Sequence, residues 1–137
     1  MEKELIRMET QVIAIIGSRK YKKKKIMFKV LDHIFLPMNK KMLYFISGGA
    51  DGPDTWADEW CKLRGFEFEE YPILDEEHPF DRNKRVASDA DWIVGFVNRD
   101  QYRSGTWNTI RYFRERKDGM YIVYDQKGWS WDRKWKK

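Results

Sequence analysis

Apolar segments alternate with polar turns along almost the whole chain. Five of these segments are short, and their apolar, β-branched composition predicts strands buried in a sheet. The predicted strands are Val12–Ile16, Met42–Ile46, Phe66–Tyr71, Trp92–Val97 and Met120–Tyr124. The third differs from the rest, because its Phe-Glu-Phe-Glu alternation is typical of a half-exposed strand at a sheet edge.

Between the strands, apolar residues recur every three or four positions, which is the spacing of one face of an α-helix. The predicted helices are Lys25–Leu36, Asp54–Arg64, Arg82–Ala90 and Ser104–Lys117. The side chains expected to face inward from the first, second and fourth helices are Ile26, Met27, Val30, Leu31, Ile34, Phe35, Trp56, Trp60, Leu63, Ile110 and Phe113.

The strict alternation of strands and helices predicts an α/β fold with one parallel sheet and helices on both of its faces. With the alternating third strand at one edge, the expected strand order is 3-2-1-4-5. The chain then reverses its winding between strands one and four. In such sheets ligands bind outside the carboxyl ends of the strands, at that switch point.

The composition fits one globular domain. The chain has 137 residues, of which 42% are hydrophobic, and it holds a single cysteine. One cysteine excludes an intrachain disulfide and a cysteine zinc site. No apolar run reaches the ~20 residues of a membrane span, and residues 1–10 do not look like a secretory signal. We therefore expect a cytoplasmic protein with no membrane partner.

The net charge is +5, and the basic residues are concentrated in two patches. Residues 20–25 carry five lysines and no acid, and residues 127–137 carry five basic residues against one acidic residue. A partner that bears phosphate groups could use such patches. On charge alone, a solvated surface is the simpler interpretation and is favoured.

Residues 126–137 form a basic tail after the predicted domain of residues 1–125. Trp129, Trp131 and Trp135 stand among its charged residues. These rings could stack on the bases of a nucleic acid, or the tail could fold back over a sheet edge or a dimer interface. Burial of three large apolar side chains favours the second interpretation, so we expect the tail to pack on the domain or on a partner.

Small polar residues follow three of the predicted strands. They are Gly17-Ser18-Arg19, the segment 47–54 with the sequence SGGADGPD, and Arg103-Ser104-Gly105-Thr106. Glycine lets backbone N–H groups approach a ligand closely, and the start of a helix adds partial positive charge. Each turn alone is explained by turn chemistry and capping. Three such turns at one edge of a sheet predict a pocket for a phosphate or a nucleotide.

These segments, together with Arg82-Asn83 and Ala90-Asp91, resemble the successive motifs of the SLOG superfamily. This is the Rossmann-like group that includes the Smf/DprA and LOG proteins. The resemblance covers residues 11–125 and is strongest to small stand-alone proteins of the YspA/DUF2493 type. It implies binding of a nucleotide or a nucleotide-derived ligand. The matching positions are Gly17, Ser18, Arg19, Gly48, Gly49, Asp54, Arg82, Asn83, Ser104, Gly105 and Thr106.

One departure from the superfamily bears on catalysis. Its phosphoribohydrolase branch has a catalytic glutamate three residues after the threonine of its Gly-Thr motif, and here that position is Thr109. Cleavage of an N-glycosidic bond needs a carboxylate. Asp51, Asp54 and Asp81 lie near the same edge, but nothing in the sequence favours one of them, so the catalytic residues are unknown.

We therefore expect binding without turnover, as in a sensor or a sequestering protein. One alternative is a nucleoside-monophosphate glycosidase or related hydrolase, and another is a single-stranded DNA-binding protein of the DprA type. No metal site or cofactor is expected, and the resemblance alone implies a homodimer or higher homo-oligomer. His33 is expected on a helix surface. His78 and Trp107 could contact a ligand or serve only the fold.

Overall fold

The structure is a computed structural model. It describes residues 10–49, 52–98, 105–116, 118–128 and 130–133. Residues 131–133 are described by their backbone alone. The strands are β1 Gln11–Gly17, β2 Leu43–Ser47, β3 Glu67–Glu70, β4 Trp92–Val97, β5 Met120–Asp125 and β6 Ser130–Arg133. The helices are α1 Lys24–Phe35, α2 Pro53–Arg64, α3 Pro79–Asp89 and α4 Gly105–Glu115, with a short 3-10 turn at Lys40–Met42.

One sheet holds all six strands in the order β3-β2-β1-β4-β5-β6. The first five are parallel, so the predicted order 3-2-1-4-5 is confirmed. β3 lies at the edge, as its alternating sequence predicts, and its residues are exposed or half-buried. The predicted division of the chain at residue 125 stays a prediction.

β6 was not among the predicted strands. It runs antiparallel to β5, with Ser130 opposite Tyr124 and Arg133 opposite Tyr121. Its four residues, Ser-Trp-Asp-Arg, are mostly polar and lack the apolar run that marks the other strands. This strand is therefore defined by its backbone pairing with β5, and its sequence pattern does not predict it.

Two apolar cores fill the spaces between the sheet and its helices. On one face α1 and α2 pack Met27, Leu31, Phe35 and Trp60 against β-strand side chains, and all four are fully buried. On the other face α3 and α4 contribute residues that include Val86, Ile110 and Phe113. The inward orientation predicted for the last two is confirmed, and each helix pair is fixed to its own side of the sheet.

Two predicted core positions are wrong. Ile26 is 46% exposed and Leu63 is 61% exposed, although both continue an apolar spacing along their helices. A helix that packs on one sheet buries a single stripe. In α1 that stripe follows Met27, Leu31 and Phe35, which leaves Ile26 at its margin.

The helix α3 begins at Pro79, three residues before the predicted start. Proline suits the first helical position because that position needs no backbone donor and already has a helical φ. The preceding His78 caps the helix, since its Nδ1 accepts a hydrogen bond of 3.1 Å from the N–H of Phe80. The proline was visible in the sequence as a possible helix start, but the predicted helix began only at Arg82.

Cys61 lies in the core on the inner side of α2 and is fully buried. Burial raises the pKa of its thiol, so the thiol stays protonated and inert. His33 is exposed on α1, as predicted. None of the helices in the described part of the chain combines the length and the apolar character that crossing a membrane requires.

Candidate ligand-binding cleft

A cleft of about 310 Å³ opens at the carboxyl ends of β1 and β2, where α2, α3 and α4 begin. This is the edge of the sheet at which the topology predicts a ligand site. The cleft is lined by Ile16, Gly17, Ser18, Arg19, Gly48, Asp54, Pro79, Phe80, Arg82, Asn83, Val86, Gly105, Thr106 and Thr109.

Nine of the eleven site residues predicted from the sequence line this cleft: Gly17, Ser18, Arg19, Gly48, Asp54, Arg82, Asn83, Gly105 and Thr106. Gly49 is not among the lining residues. It has a φ of +80°, and a Cβ added to it would lie 2.0 Å from Oε1 of Glu70, away from the cleft. Ser104 lies outside the described residues. Of the glycines after β2, Gly48 is therefore the one that borders the cleft.

Gly17 lets the end of β1 approach the start of α2. A Cβ added to Gly17 would lie 2.2 Å from Cβ of Pro53 and 2.9 Å from the carbonyl oxygen of Phe96, so no side chain fits there. The N–H of Gly17 donates a hydrogen bond of 3.0 Å to Oδ1 of Asp54. This bond ties the first turn of α2 to the last residue of β1.

Ser18 and Tyr21 shape the turn that follows β1. The N–H of Ser18 donates to the carbonyl oxygen of Phe96 at 2.9 Å, and the carbonyl oxygen of Ser18 accepts from the N–H of Tyr21 at 3.0 Å. Burial and the nearby carboxylate of Asp125 raise the pKa of Tyr21 to about 12, so its hydroxyl stays neutral. The turn is thus fixed, while Arg19 at its outer end is exposed.

Arg82 reaches across the cleft from the first turn of α3. Its Nη1 donates to the carbonyl oxygen of Gly48 and, at 3.3 Å, to that of Tyr71. Its Nε donates to Oδ1 of Asn83 at 3.2 Å. Among the described residues no acceptor takes a hydrogen bond from Nη2. The guanidinium is therefore held at Nε and Nη1, and Nη2 faces no acceptor among the described residues.

The absence of a side chain at Gly48 allows this placement. A Cβ added there would lie 3.1 Å from Cζ of Arg82 and 3.3 Å from Oδ2 of Asp54. The guanidinium and the carboxylate therefore both approach the backbone at Gly48. The missing side chain at Gly48 therefore makes room for the guanidinium of Arg82, in addition to any room that it leaves for a ligand.

Asn83 joins α3 to α4. Its Nδ2 donates to the carbonyl oxygen of Gly105 at 3.3 Å and to Oδ1 of Asn108 at 3.2 Å. Since its Oδ1 accepts from Arg82, the whole side-chain amide is engaged within the protein. Asn83 is 7% exposed. It positions Arg82 and the start of α4.

Asp54 is the acidic side chain that lines the cleft among the described residues. Asp81 lies at the outer start of α3, where its Oδ2 accepts from the N–H of His78 at 3.2 Å, and Asp51 lies outside the described residues. Thr109, where the sequence resemblance would place the glutamate of the phosphoribohydrolase branch, lines the cleft. Its hydroxyl donates to the carbonyl oxygen of Gly105 at 3.0 Å.

Four further lining residues were not predicted: Ile16, Pro79, Phe80 and Val86. Three of them are ordinary core or turn residues, whose place at a cleft follows from tertiary packing alone. For Phe80 the sequence did hold a signal. It is an apolar residue that follows a helix-starting proline, ahead of the apolar stripe of α3.

A second cavity of about 460 Å³ lies at the opposite edge of the sheet, between the amino ends of β1, β4 and β5. Its arginine, Arg116, is engaged within the protein. Nη1 of Arg116 donates to the carbonyl oxygen of Ala87 at 2.7 Å, and Nε donates to Oδ1 of Asp118 at 3.0 Å. Arg116 therefore binds a carbonyl oxygen at the C-terminal end of α3, and its position in this cavity is explained by that structural role.

Within the described ranges, no group of three or more His, Cys, Asp or Glu side chains is placed to hold a metal ion. Besides the carboxylate of Asp54 and the amide of Asn83, the cleft is lined by hydroxyl-bearing residues and by the guanidinium groups of Arg19 and Arg82. Hydroxyls and guanidinium groups are ligands for anions.

Among solved structures, the chain is similar to DNA processing protein A (DprA) from Streptococcus pneumoniae. The TM-score is 0.67 at 19% sequence identity, over 88% of this chain and 52% of that chain. The chain thus spans about half the length of DprA. No protein-family model matches the chain, and no curated protein matches it.

At 19% sequence identity, a structural similarity shows a shared fold only. The chain has a Rossmann-like fold similar to that of DprA. What such a domain binds does not follow from the fold and has to come from the site.

Proposed function

We propose that the cleft binds a nucleotide or a nucleotide-derived ligand through its phosphate, without turnover, and that the protein acts as a sensor or sequestering protein of the YspA/DUF2493 type. The observation that carries this proposal is the guanidinium of Arg82, which is held at Nε and Nη1 and leaves Nη2 without an acceptor among the described residues. It lies in a cleft bordered by Gly17 and Gly105, at the ends of two strand-to-helix connections.

The size and the charge of the cleft support a small anionic ligand. Its volume of about 310 Å³ is at the lower end of the ~300–1,000 Å³ that ligand pockets occupy. Its charged side chains among the described residues are Arg19, Arg82 and Asp54, and one carboxylate oxygen of Asp54 already accepts from Gly17. The start of α4 at Gly105 adds the partial positive charge of a helix N-terminus.

Each group then has a role in the proposal. At the turn Gly17–Arg19 the N–H groups of Gly17 and Ser18 already donate within the protein, so the Ser18 hydroxyl and Arg19 are the groups proposed to bind the phosphate. The turn Gly105–Thr106 binds the same phosphate, with Ser104 as a further predicted donor. Nη2 of Arg82 donates to a phosphate oxygen while Nη1 keeps its bond to the carbonyl of Gly48. Gly48 and Asp54 border the pocket, and Asn83 keeps Arg82 in position.

The proposal is tested by calorimetric titration of AMP, GMP, CMP and UMP into the wild type, Arg82→Ala and Arg82→Lys. A hydrogen bond to a charged group is worth ~1.5–3 kcal/mol, so Arg82→Ala should weaken binding by about 10- to 150-fold. Lysine keeps the charge but loses the planar fork, so it should restore binding only in part. Lys84→Ala is the matched control. It removes one positive charge from α3, at a side chain that packs over Tyr112 and not in the cleft.

The proposal fails if none of the four nucleotides binds, or if Arg82→Ala binds them as tightly as Lys84→Ala does. Chromatography of the same mixtures measures free base. Catalytic release of base by the wild type, lost in Asp54→Asn, would support a glycosidase instead. Binding that grows with the length of single-stranded DNA and weakens steeply with salt would support a DNA-binding protein.

A further inference from the structure

Phe80 is an exposed aromatic side chain at the edge of the cleft. The described residues expose seven large apolar side chains: Ile26, Leu36, Met42, Leu63, Ile73, Leu74 and Phe80. Of these, Phe80 has the only ring and is the only one that lines the cleft. It is 46% exposed. Leaving this much aromatic surface in water costs free energy that a ligand could recover by covering it.

The ring is held in place even though it is exposed. The N–H of Phe80 donates to Nδ1 of His78, and the N–H of His78 donates to Oδ2 of Asp81, so the first turn of α3 is fixed on both sides. The imidazole of His78 packs edge-on to the ring, with the centroids 4.8 Å apart and the planes at 65°. A ring fixed in this way loses little conformational freedom when a ligand stacks on it.

Phe80 also lies on the ligand-facing side of α3. Phe80, Asn83 and Val86 recur every three residues, and all three line the cleft. Asn83 is the residue whose Oδ1 holds Nε of Arg82. An anion on Arg82 and a flat group on Phe80 would therefore occupy the same cleft, since both residues line it from the first turn of α3.

We propose that Phe80 is the surface on which the aromatic base of the ligand stacks, so that the cleft selects nucleotides over sugar phosphates. This inference rests on the proposed function, because it assumes that the phosphate of the same ligand is held beside Arg82. It predicts little preference among bases, since every base offers a π-face for stacking.

The test compares AMP and UMP with ribose 5-phosphate, which has the same sugar phosphate but no base. Calorimetric titrations use the wild type, Phe80→Leu and Phe80→Tyr. Leucine keeps apolar bulk at the helix start and removes the π-face, whereas tyrosine keeps the π-face. Leu74→Ala is the control, because Leu74 is exposed on the preceding loop and does not line the cleft.

An aromatic pair is worth ~0.5–1.5 kcal/mol beyond the area that it buries. Because leucine keeps apolar bulk, Phe80→Leu should weaken binding of AMP and UMP by about 2- to 12-fold, with a change of less than about twofold for ribose 5-phosphate. Phe80→Tyr and Leu74→Ala should bind AMP and UMP like the wild type. The wild type should prefer both nucleotides over ribose 5-phosphate.

Three results would overturn the inference while leaving the proposed function intact. One is a wild type that binds AMP and ribose 5-phosphate equally. Another is a Phe80→Leu variant that loses the same factor for both ligands, which would assign Phe80 to the shape of the cleft. The third is a wild-type dimer that Phe80→Leu dissociates without any effect on AMP, measured by light scattering, which would make the ring an interface between copies. If no ligand binds the wild type, the proposed function itself fails.

Discussion

Gly17 shows how strongly a single residue determines the geometry of the cleft. It ends β1 at the point where Pro53 opens α2, and a Cβ in that place would overlap the proline ring at 2.2 Å. The same residue donates its N–H to Asp54. The close approach of strand and helix therefore depends on glycine for space, and the carboxylate of Asp54 reinforces it.

Gly17→Ala should destabilise the fold by about 1–3 kcal/mol, the usual cost of forcing extra volume into a packed site. Gly95→Ala is the matched control. Gly95 also lies in a central strand, but a Cβ added to it would meet its nearest neighbours at an ordinary 3.6 Å. Urea unfolding of both variants measures the difference. A Gly17→Ala variant as stable as Gly95→Ala would contradict the close packing of β1 on α2.

At this scale the residues of the cleft were predictable, but their hydrogen bonds were not. Glycines and hydroxyls after strands mark Gly17, Ser18 and Thr106, because those positions follow directly from the order of elements. The bonds of Arg82 to the carbonyl oxygens of Gly48 and Tyr71 join residues 34 and 11 positions apart. Along the chain the carboxylates nearest to Arg82 are those of Asp81 and Glu77, but the hydrogen bonds of Arg82 go to Oδ1 of Asn83 and to these two backbone carbonyls.

At the scale of elements, an ion pair fixes the loop that leads into α3. Nε of Arg85 donates to Oε2 of Glu77 and Nη2 donates to Oε1, both at 2.8 Å, and Nη2 also donates to the carbonyl oxygen of Pro72 at 2.6 Å. Oε1 of Glu77 also accepts from the N–H of Leu74 at 2.9 Å. The loop is thereby tied to the helix that carries Phe80 and Arg82.

Glu77→Gln should lower stability in a way that depends on pH. The hydrogen bond from Arg85 is the main cause that lowers the pKa of Glu77 from 4.5 to about 2. A carboxylate with a lowered folded-state pKa stabilises the protein fully above pH 4.5, and this contribution is lost as the pH falls from 4.5 to about 2. Urea unfolding at pH 7, 5.5 and 3 should show the same gap between wild type and Glu77→Gln at the first two values, and a smaller gap at pH 3.

The control for this prediction is Asp58→Asn. Asp58 pairs with Lys62 at 3.2 Å on the surface of α2, and such exposed pairs contribute ~0–1 kcal/mol. The free energy of unfolding of Asp58→Asn should stay close to that of the wild type at pH 7. Equal stability of Glu77→Gln and wild type at pH 7 would show that the ion pair does not hold the loop.

Elements were predictable where one strong local signal defines them. The four buried parallel strands follow from continuous apolar runs, and β3 follows from its alternation of Phe and Glu. The start of α3 at Pro79 was missed because the apolar spacing alone set the predicted helix, although proline also starts helices. The exposure of Ile26 and Leu63 was not predicted. The spacing of apolar residues defines the apolar face of a helix, but it does not say how much of that face the sheet covers.

At the scale of the whole molecule, β6 covers an edge of the sheet. It pairs with β5 from Ser130 opposite Tyr124 to Arg133 opposite Tyr121. Without this strand, the outer backbone groups of β5 would have no ladder partner, and open strand edges promote pairing between chains. β6 therefore acts as an edge strand that protects the parallel sheet.

A chain ending at Lys127 should be less stable than the full chain and should self-associate more strongly. The control ends at Arg133, which keeps β6 but removes the last four residues, of which three are basic. Light scattering after gel filtration measures association, and urea unfolding measures stability. If both shortened chains behave like the full chain, β6 does not protect the edge.

The parallel part of the fold, β1 to β5 with the four helices, was predictable because the alternation of strands and helices, together with right-handed connections, leaves few arrangements of a parallel sheet. The position of the cleft followed from the same topology. The ring of Phe80 at its edge, and the engagement of Asn83 within the protein, arise from packing between distant segments and needed the structure.

The central claim is that a nucleotide phosphate occupies the cleft at the carboxyl edge of the sheet. The most direct test is an NMR titration of the ¹⁵N-labelled protein with AMP, in which the shift of each backbone amide is followed. The largest shifts should fall on Ser18, Arg19 and Thr106, with saturation at one equivalent. Shifts concentrated around Asp91 and Gly119, at the cavity on the opposite edge, or no shifts at all, would contradict the claim.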